Sequence, residues 1–192
     1  IPHARMDRVK NDEDVFTLKY FCEVINSLKF DVVWVRDAHS NVSLALLDNV
    51  IEEPISGYVM HAILDSKADA LFFPDEGAMK RYSGGFNMPY AFGMKKRDWA
   101  TGQILGLDII NAENVKDKNI LIVDDICSRG GTFYHSAKKL KELGANKIYL
   151  YVTHCENTIL EGDLLTSGLI EKVYTTNSIF TKEHEMIEVF EL

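Results

Sequence analysis

The chain is expected to be an α/β protein, a mostly parallel sheet flanked by helices. Three features of the sequence point there. Short apolar, β-branched runs recur along it, helical stretches separate them, and polar residues suited to ligands follow the runs. At 192 residues it can form one large domain or two small lobes with ample core. Its 46% apolar and 26% charged fractions are those of an ordinary globular protein. No apolar run approaches the roughly 18–20 residues that span a bilayer, and no basic leader precedes a signal-like core. Cys22, Cys127 and Cys155 are scattered without a CxxC pair, so neither a structural zinc nor a disulfide framework is expected, and a cytoplasmic location is. The net charge of −8 argues against nucleic acid as partner; any phosphate must be met by local basic groups, helix ends or metal ions. The chain opens at Ile1-Pro2 without a methionine, as an expressed fragment would, or a chain given without its N-terminal part.

The elements follow in order. Leu18, Phe21, Cys22, Ile25 and Leu28 recur at helical spacing and predict an amphipathic helix over 15–28. Val32 to Val35 predicts a short buried strand with Trp34 in the core, ending at Arg36-Asp37-Ala38-His39. Ser43 to Leu47 and Ile55 to Leu64 read as helices, and Ala68 to Phe73 as a strand ending at Pro74-Asp75-Glu76-Gly77. A short strand closes at Ala91-Phe92. Lys95 to Gln103 is basic and without period, hence a loop, with Trp99 packing it. Asn119 to Val123 is a strand, Ser128 to Gly131 a turn, and Thr132 to Leu143 a helix, with Gly144 where a left-handed cap belongs. Lys147 to Val152 and Ile170 to Thr175 are strands ending at Thr153-His154 and Thr176-Asn177-Ser178.

Polar groups gather at these strand ends: Asp37 and His39, Asp75, Asp124 and Asp125, His154, Asn177. Ligands of open α/β sheets bind at the carboxyl ends of strands, so these residues mark a site. Ile120 to Thr132 says what kind. Four apolar residues fix a strand that delivers Asp124 and Asp125 at its exit, and paired carboxylates accept hydrogen bonds from a vicinal diol such as the ribose 2′,3′ edge. Ser128-Arg129-Gly130-Gly131-Thr132 then enters a helix, whose free N–H groups and positive dipole end cradle a phosphate. The glycines allow close backbone approach, while Ser128 and Thr132 add hydroxyl donors. Diol and monophosphate together describe ribose 5-phosphate. No Lys follows Gly131, which excludes a Walker A loop, and no GxGxxG follows the strand.

These residues resemble the phosphoribosyl pyrophosphate motif shared by type I phosphoribosyltransferases and ribose-phosphate pyrophosphokinases. Elements elsewhere favour the pyrophosphokinases. Ala4-Arg5-Met6-Asp7-Arg8 is similar to their Ala-Arg-Gln-Asp-Arg ATP-binding segment, Asp37-Ala38-His39 to their Asp-Leu-His motif, and Phe73 to Arg81 to their Ser-Pro-Asp-x-Gly loop ending in a basic residue. Lys95-Lys96-Arg97 takes the place of their mobile catalytic loop, and Thr153-His154 and Thr176-Asn177-Ser178-Ile179 match their later strand ends. Met6 stands for the usual Gln, and Ser128 for the usual Asp of the phosphate loop. Arg97-Asp98-Trp99 after the basic loop looks more like a compact phage-type branch than the housekeeping enzymes.

The resemblance implies a type I phosphoribosyltransferase-like fold, with residues 1–50 a remnant of an N-terminal half and 51–192 a C-terminal domain holding the ribose-phosphate loop. It implies transfer of diphosphate from MgATP to ribose 5-phosphate, giving phosphoribosyl pyrophosphate and AMP, with Mg²⁺ as cofactor. His39 and Asp75 would be associated with the metal; Arg5, Asp7 and His39 would face ATP; Lys95 and Arg97 would stabilise the transferring phosphoryl group. Asp124, Asp125, Ser128, Arg129, Gly130, Gly131 and Thr132 would bind ribose 5-phosphate. Self-association into dimers or hexamers is expected, without nucleic-acid or membrane partners. Two rivals stand beside it: a type I phosphoribosyltransferase of nucleotide salvage, and a non-catalytic regulatory subunit of the same fold. Cys127 sits in the ribose loop, but two neighbouring aspartates would raise its thiol pKa and argue against a nucleophile.

Overall fold

The computed structural model describes residues 6–9, 11–97 and 104–192, with the backbone alone described at 95–97 and 104–107. The chain divides into two compact units, Ile1–Ile55 and Ser56–Leu192.

In the first unit, α1 (Thr17–Ser27) precedes β1 (Val33–Arg36), α2 (Val42–Leu46) and β2 (Val50–Glu53). β1 and β2 pair in parallel, Val33 opposite Val50 and Arg36 opposite Glu53. The Asn26 side chain ties α1 to the end of α2, donating to the Leu46 carbonyl at 2.9 Å and accepting from the Asp48 N–H at 2.9 Å. The expectation of a buried β1 fails. Among the described residues β1 has β2 alone as strand neighbour, which leaves Trp34 62% exposed, and Trp34 is not a core residue. Trp99 lies outside the described residues.

In the second unit, helices α3 (Ser56–Ser66), α4 (Glu76–Tyr82) and α5 (Gly131–Glu142) accompany a seven-stranded sheet. Its strands are β3 (Ala70–Phe73), β4 (Tyr90–Arg97), β5 (Ile104–Ile110), β6 (Ile120–Cys127), β7 (Ile148–Cys155), β8 (Lys172–Thr176) and β9 (Ile187–Phe190). They lie in the order β5-β4-β3-β6-β7-β8-β9, and every pair is parallel except β4 with β5. Central strands are buried on both faces, which is why β3, β6 and β7 read as nearly continuous apolar runs. α5 lays Phe133, Ala137 and Leu140 on the core at helical spacing. It ends at Gly144 with φ +86°, and the Ala145 N–H returns to the Leu140 carbonyl at 3.0 Å. α3 is moored to the sheet by Asp65, which accepts from the Tyr174 hydroxyl at 2.7 Å and from Lys172 at 3.1 Å.

The mostly parallel sheet flanked by helices is as expected. Two local expectations are overturned. Lys95, Lys96 and Arg97 do not begin a loop: they continue β4, paired with β5 through Lys95 opposite Leu107 and Arg97 opposite Ile104. The Asp124-Asp125 pair does not follow its strand, for β6 runs on to Cys127, held by β7 through Ile126 opposite His154 and Cys127 opposite Cys155. In both places a neighbouring ladder extends the strand beyond what local composition supports.

One contact fixes the bend after β6. The short 3-10 turn Asn157–Glu161 ends at Gly162, whose missing side chain is where the Arg129 carbonyl sits. Gly162→Ala is therefore expected to force the two backbones apart, at a cost of about 1–3 kcal/mol read by denaturant unfolding.

Candidate functional site

The sheet has one topological switch point. From β3 the chain passes to β4 on one side, whereas β6, on the other side of β3, leads on to β7 and β8. In open parallel sheets the crevice at such a point, beyond the carboxyl ends of the strands, is where ligands bind. Here β3 and β6 are neighbours through Ala70–Ile120, Leu71–Leu121 and Phe72–Ile122.

β3 delivers Pro74 and then Asp75. Asp75 caps α4: its backbone is extended, and its Oδ1 accepts from the Ala78 N–H at 3.0 Å. α4 ends with Arg81 and Tyr82, and the Arg81 guanidinium carbon stands 5.1 Å from the Tyr82 ring centroid. From there Arg81 Nη2 reaches Asp125 Oδ1 at 3.1 Å and Asp124 Oδ1 at 3.4 Å. The Asp125 N–H also donates to Asp124 Oδ1 at 3.0 Å. The three side chains are 20%, 17% and 5% exposed for Arg81, Asp124 and Asp125. One guanidinium thus serves two nearly buried carboxylates. Burial, then the charge of Asp125, pushes the Asp124 carboxyl up to about 8, against the pull of Arg81. Burial works to lower the Arg81 pKa, but Tyr82, Asp125 and Asp124 together raise it, so the arginine stays charged.

Beyond Cys127 the chain turns through Ser128 and Arg129 to Gly130, which caps α5 with φ +81° and ψ 8°. That left-handed conformation favours glycine, and a Cβ there would come within 2.9 Å of Leu164 Cδ2. The first helical bond of α5 runs from the Tyr134 N–H to the Gly130 carbonyl at 2.9 Å. Helical geometry leaves the N–H groups before it aimed outward, the arrangement that receives an oxyanion. Gly131 and Thr132 are exposed there and Ser128 half-buried. Arg129 is exposed and paired with Glu161 at 2.5 Å.

On the far side of β6, the Thr153 carbonyl accepts from Thr176 Oγ1 at 2.7 Å and Ser178 Oγ at 3.3 Å, while His154 Nδ1 and Ser178 Oγ stand 2.8 Å apart. These bonds lock the carboxyl ends of β7 and β8 together. Cys127 is no nucleophile: the hydrogen bond with Cys155, and then burial, raise its thiol pKa. The expected upward direction holds, but the chief cause is the neighbouring thiol rather than the aspartates.

The second unit therefore brings together Asp75, at the start of α4, Asp124, Asp125 and the Ser128–Thr132 bend. The backbones of Lys95 and Arg97 extend β4, parallel to β3, toward the same end of the sheet. Asp7 and His39 belong to the first unit, where Asp37 takes a left-handed φ of +47° and His39 is exposed. Arg5 lies outside the described residues. Arg81 was missed among the candidate site residues. It closes the Phe73–Arg81 motif, but its role depends on α4, a helix that the sequence reading did not place.

Among the described residues, no group of three or more His, Cys, Asp or Glu is gathered as a metal cage. Adjacent carboxylates suit instead an ion that keeps water and substrate oxygens as most of its ligands, as Mg²⁺ does. Among the same residues, no helix is long and apolar enough to cross a membrane.

Residues 107–189 match the family model of the phosphoribosyl synthetase-associated domain. The chain is 28% identical to a ribose-phosphate pyrophosphokinase of Pyrococcus furiosus, over 93% of this chain and 64% of the relative. It is 27% identical to one of Clostridium perfringens, over 98% of this chain and 61% of the relative. The chain thus spans a little under two thirds of the length of these relatives. A crystal structure of phosphoribosylpyrophosphate synthetase from Mycobacterium smegmatis shares the fold, with a TM-score of 0.81 at 20% identity, covering 99% of this chain and 64% of that one.

The twin acids carry a measurable stability signature. An acid whose pKa rises on folding supports the fold while protonated, and that support fades as pH climbs through its folded-state value. For Asp124 the loss runs from its ordinary range near 4 up to about 8. Asp124→Asn is expected to raise Tm at pH 8 by about 2–4 °C and to leave it nearly unchanged at pH 4, measured by calorimetric melting.

Proposed function

We propose that the chain belongs to the ribose-phosphate pyrophosphokinase family and carries out the reaction that the sequence resemblance implies. A diphosphoryl group passes from MgATP to the anomeric hydroxyl of ribose 5-phosphate, giving phosphoribosyl pyrophosphate and AMP. One observation carries the reading: twin acids on β6 stand a few residues before a glycine bend that opens α5. Asp124 and Asp125 accept hydrogen bonds from the ribose 2′ and 3′ hydroxyls. The N–H groups of Gly131 and Thr132, with the Ser128 and Thr132 hydroxyls, hold the 5-phosphate. Gly130 sets the bend, and Arg129 borders it.

Phosphoryl transfer asks the protein for in-line positioning and charge neutralisation rather than a covalent intermediate. Lys95 and Arg97 supply positive charge to the transferring group from the end of β4, and Arg5, Asp7 and His39 face ATP. The resemblance associates Mg²⁺ with Asp75 and, separately, with His39, and Asp124 and Asp125 would reach an ion through the ribose hydroxyls. When bound, that ion neutralises phosphate charge and orients the leaving AMP. Residues 1–50 are read as belonging to an N-terminal half, and a cytoplasmic homo-oligomer, dimer or hexamer, is the expected working form.

The decisive experiment measures AMP formed from ATP and ribose 5-phosphate, beside calorimetric binding of ribose 5-phosphate with Mg²⁺. A phosphoribosyltransferase would instead release pyrophosphate from phosphoribosyl pyrophosphate and a base. Replacing Lys95 and Arg97 by Ala is expected to lower kcat by about 10³ while ribose 5-phosphate binds as before. Asp124→Asn with Asp125→Asn is expected to abolish that binding. Turnover unchanged by the Lys95 and Arg97 replacements would exclude their catalytic role.

A further inference from the structure

The bend that opens α5 is moulded against a second stretch of chain, Glu156 to Leu164, which follows β7. The two meet at successive residues. The Glu156 N–H donates to the Cys127 carbonyl at 2.8 Å. Gly162 leaves room for the Arg129 carbonyl, and Leu164 fills the space that a Cβ on Gly130 would need. Ile159 and Leu164 are fully buried, in the same core cluster as Cys127 and Phe133. The stretch is fastened elsewhere as well: the Asn157 side chain donates to Thr181 Oγ1 at 2.9 Å and accepts from the Thr181 N–H at 3.0 Å. To these contacts one between charged side chains is added, from Arg129 Nη2 to Glu161 Oε2 at 2.5 Å. Arg129 is therefore gripped twice by neighbouring residues, at its carbonyl by Gly162 and at its guanidinium by Glu161.

We propose that Glu161 is a positioning residue for the phosphate site. It acts through Arg129, tying the bend to the Glu156–Leu164 stretch so that the N–H groups of Gly131 and Thr132 are aimed before the anion arrives. The inference rests on the reading of this bend as the 5-phosphate site. A cradle made of backbone N–H groups gains affinity by being set in advance, because ordering it during binding would cost affinity. The rival use of Arg129 is direct contact with the phosphate, and the two uses differ in sign. Were the guanidinium the partner of the phosphate, Glu161 would compete with the anion for it and repel the anion as well, so removing that carboxylate would tighten binding. As a tether, Glu161 favours binding, and its removal weakens it. The two side chains are 68% and 56% exposed, so the tether is modest in strength and weakens further as salt screens it.

Titration calorimetry with ribose 5-phosphate and Mg²⁺ at low salt separates the two uses. Glu161→Gln is expected to weaken binding roughly two- to fivefold, and Arg129→Gln by a similar factor. The exchanged pair, Arg129→Glu with Glu161→Arg, is expected to bind nearly as the unaltered protein does, since the tether is rebuilt with its ends reversed. A guanidinium that meets the phosphate itself gives the opposite pattern. Glu161→Gln then binds as well as the unaltered protein or better, and the exchanged pair, with a carboxylate in the bend, does not recover. Either result overturns the proposal. A measurement without ligand stands beside it. The Gly131 and Thr132 amide resonances should move in Glu161→Gln and return in the exchanged pair, and resonances that stay in place overturn the tether. If ribose 5-phosphate fails to bind the unaltered protein, the functional reading falls, while these resonances still decide whether Glu161 sets the bend.

Discussion

Three residue pairs, Ala70–Ile120, Leu71–Leu121 and Phe72–Ile122, hold β3 against β6, and the rest of the site depends on them. They are fully buried, parallel and central, and they fix how far apart the carboxyl ends of the two strands stand. β3 must then continue into a helix whose last turn overhangs β6, and β6 must present its acids where that helix can answer them. A one-residue slip would turn Asp125 from its buried position to the other face of the sheet and carry Asp124 away from Arg81. The apolar register, chosen by hydrophobic burial, thereby decides the electrostatics.

The same economy appears on the other side of β6. Thr153, Thr175 and Thr176 are buried polar residues at the ends of β7 and β8; the Thr153 hydroxyl pairs with that of Tyr151, and the hydroxyls of Thr175 and Thr176 donate to the Thr153 carbonyl. Buried hydroxyls are costly unless paired, and paired they make a rigid floor. Against that floor the bend from Ser128 to Gly131 is set by contact with Leu164 and Gly162, not by side-chain capping, for α5 has no side chain at its N-cap. The head of the helix is thus left clear for an external anion.

Much of this could be read from the residues in order, and what could not has a common cause. The strand from Ile120, the glycine bend, α5 and its Gly144 cap announce themselves by local composition, as do the chemical types of Asp75, Asp124 and Asp125. β2, β5 and β9 are short or mixed in polarity, and they become strands through partners distant in sequence, as Ile104–Ile110 does by running antiparallel to β4. The basic triplet looked like a loop because charge was weighed and the ladder was not visible. Trp34 looked like core because its strand is apolar, but apolar strands need a covering layer, and a two-stranded sheet supplies none by itself. Arg81 was hidden for a subtler reason. One basic residue at the end of a helix is ordinary, and only the closeness of α4 to β6 gives it meaning.

Asp75 carries a constraint of its own. Its Oδ1 accepts from the Ala78 N–H, so one oxygen of the carboxylate already serves the helix. If Asp75 meets a divalent ion, as proposed, the side chain that anchors α4 would be shared between the fold and the ligand, and water or substrate oxygens would supply the ion's other contacts.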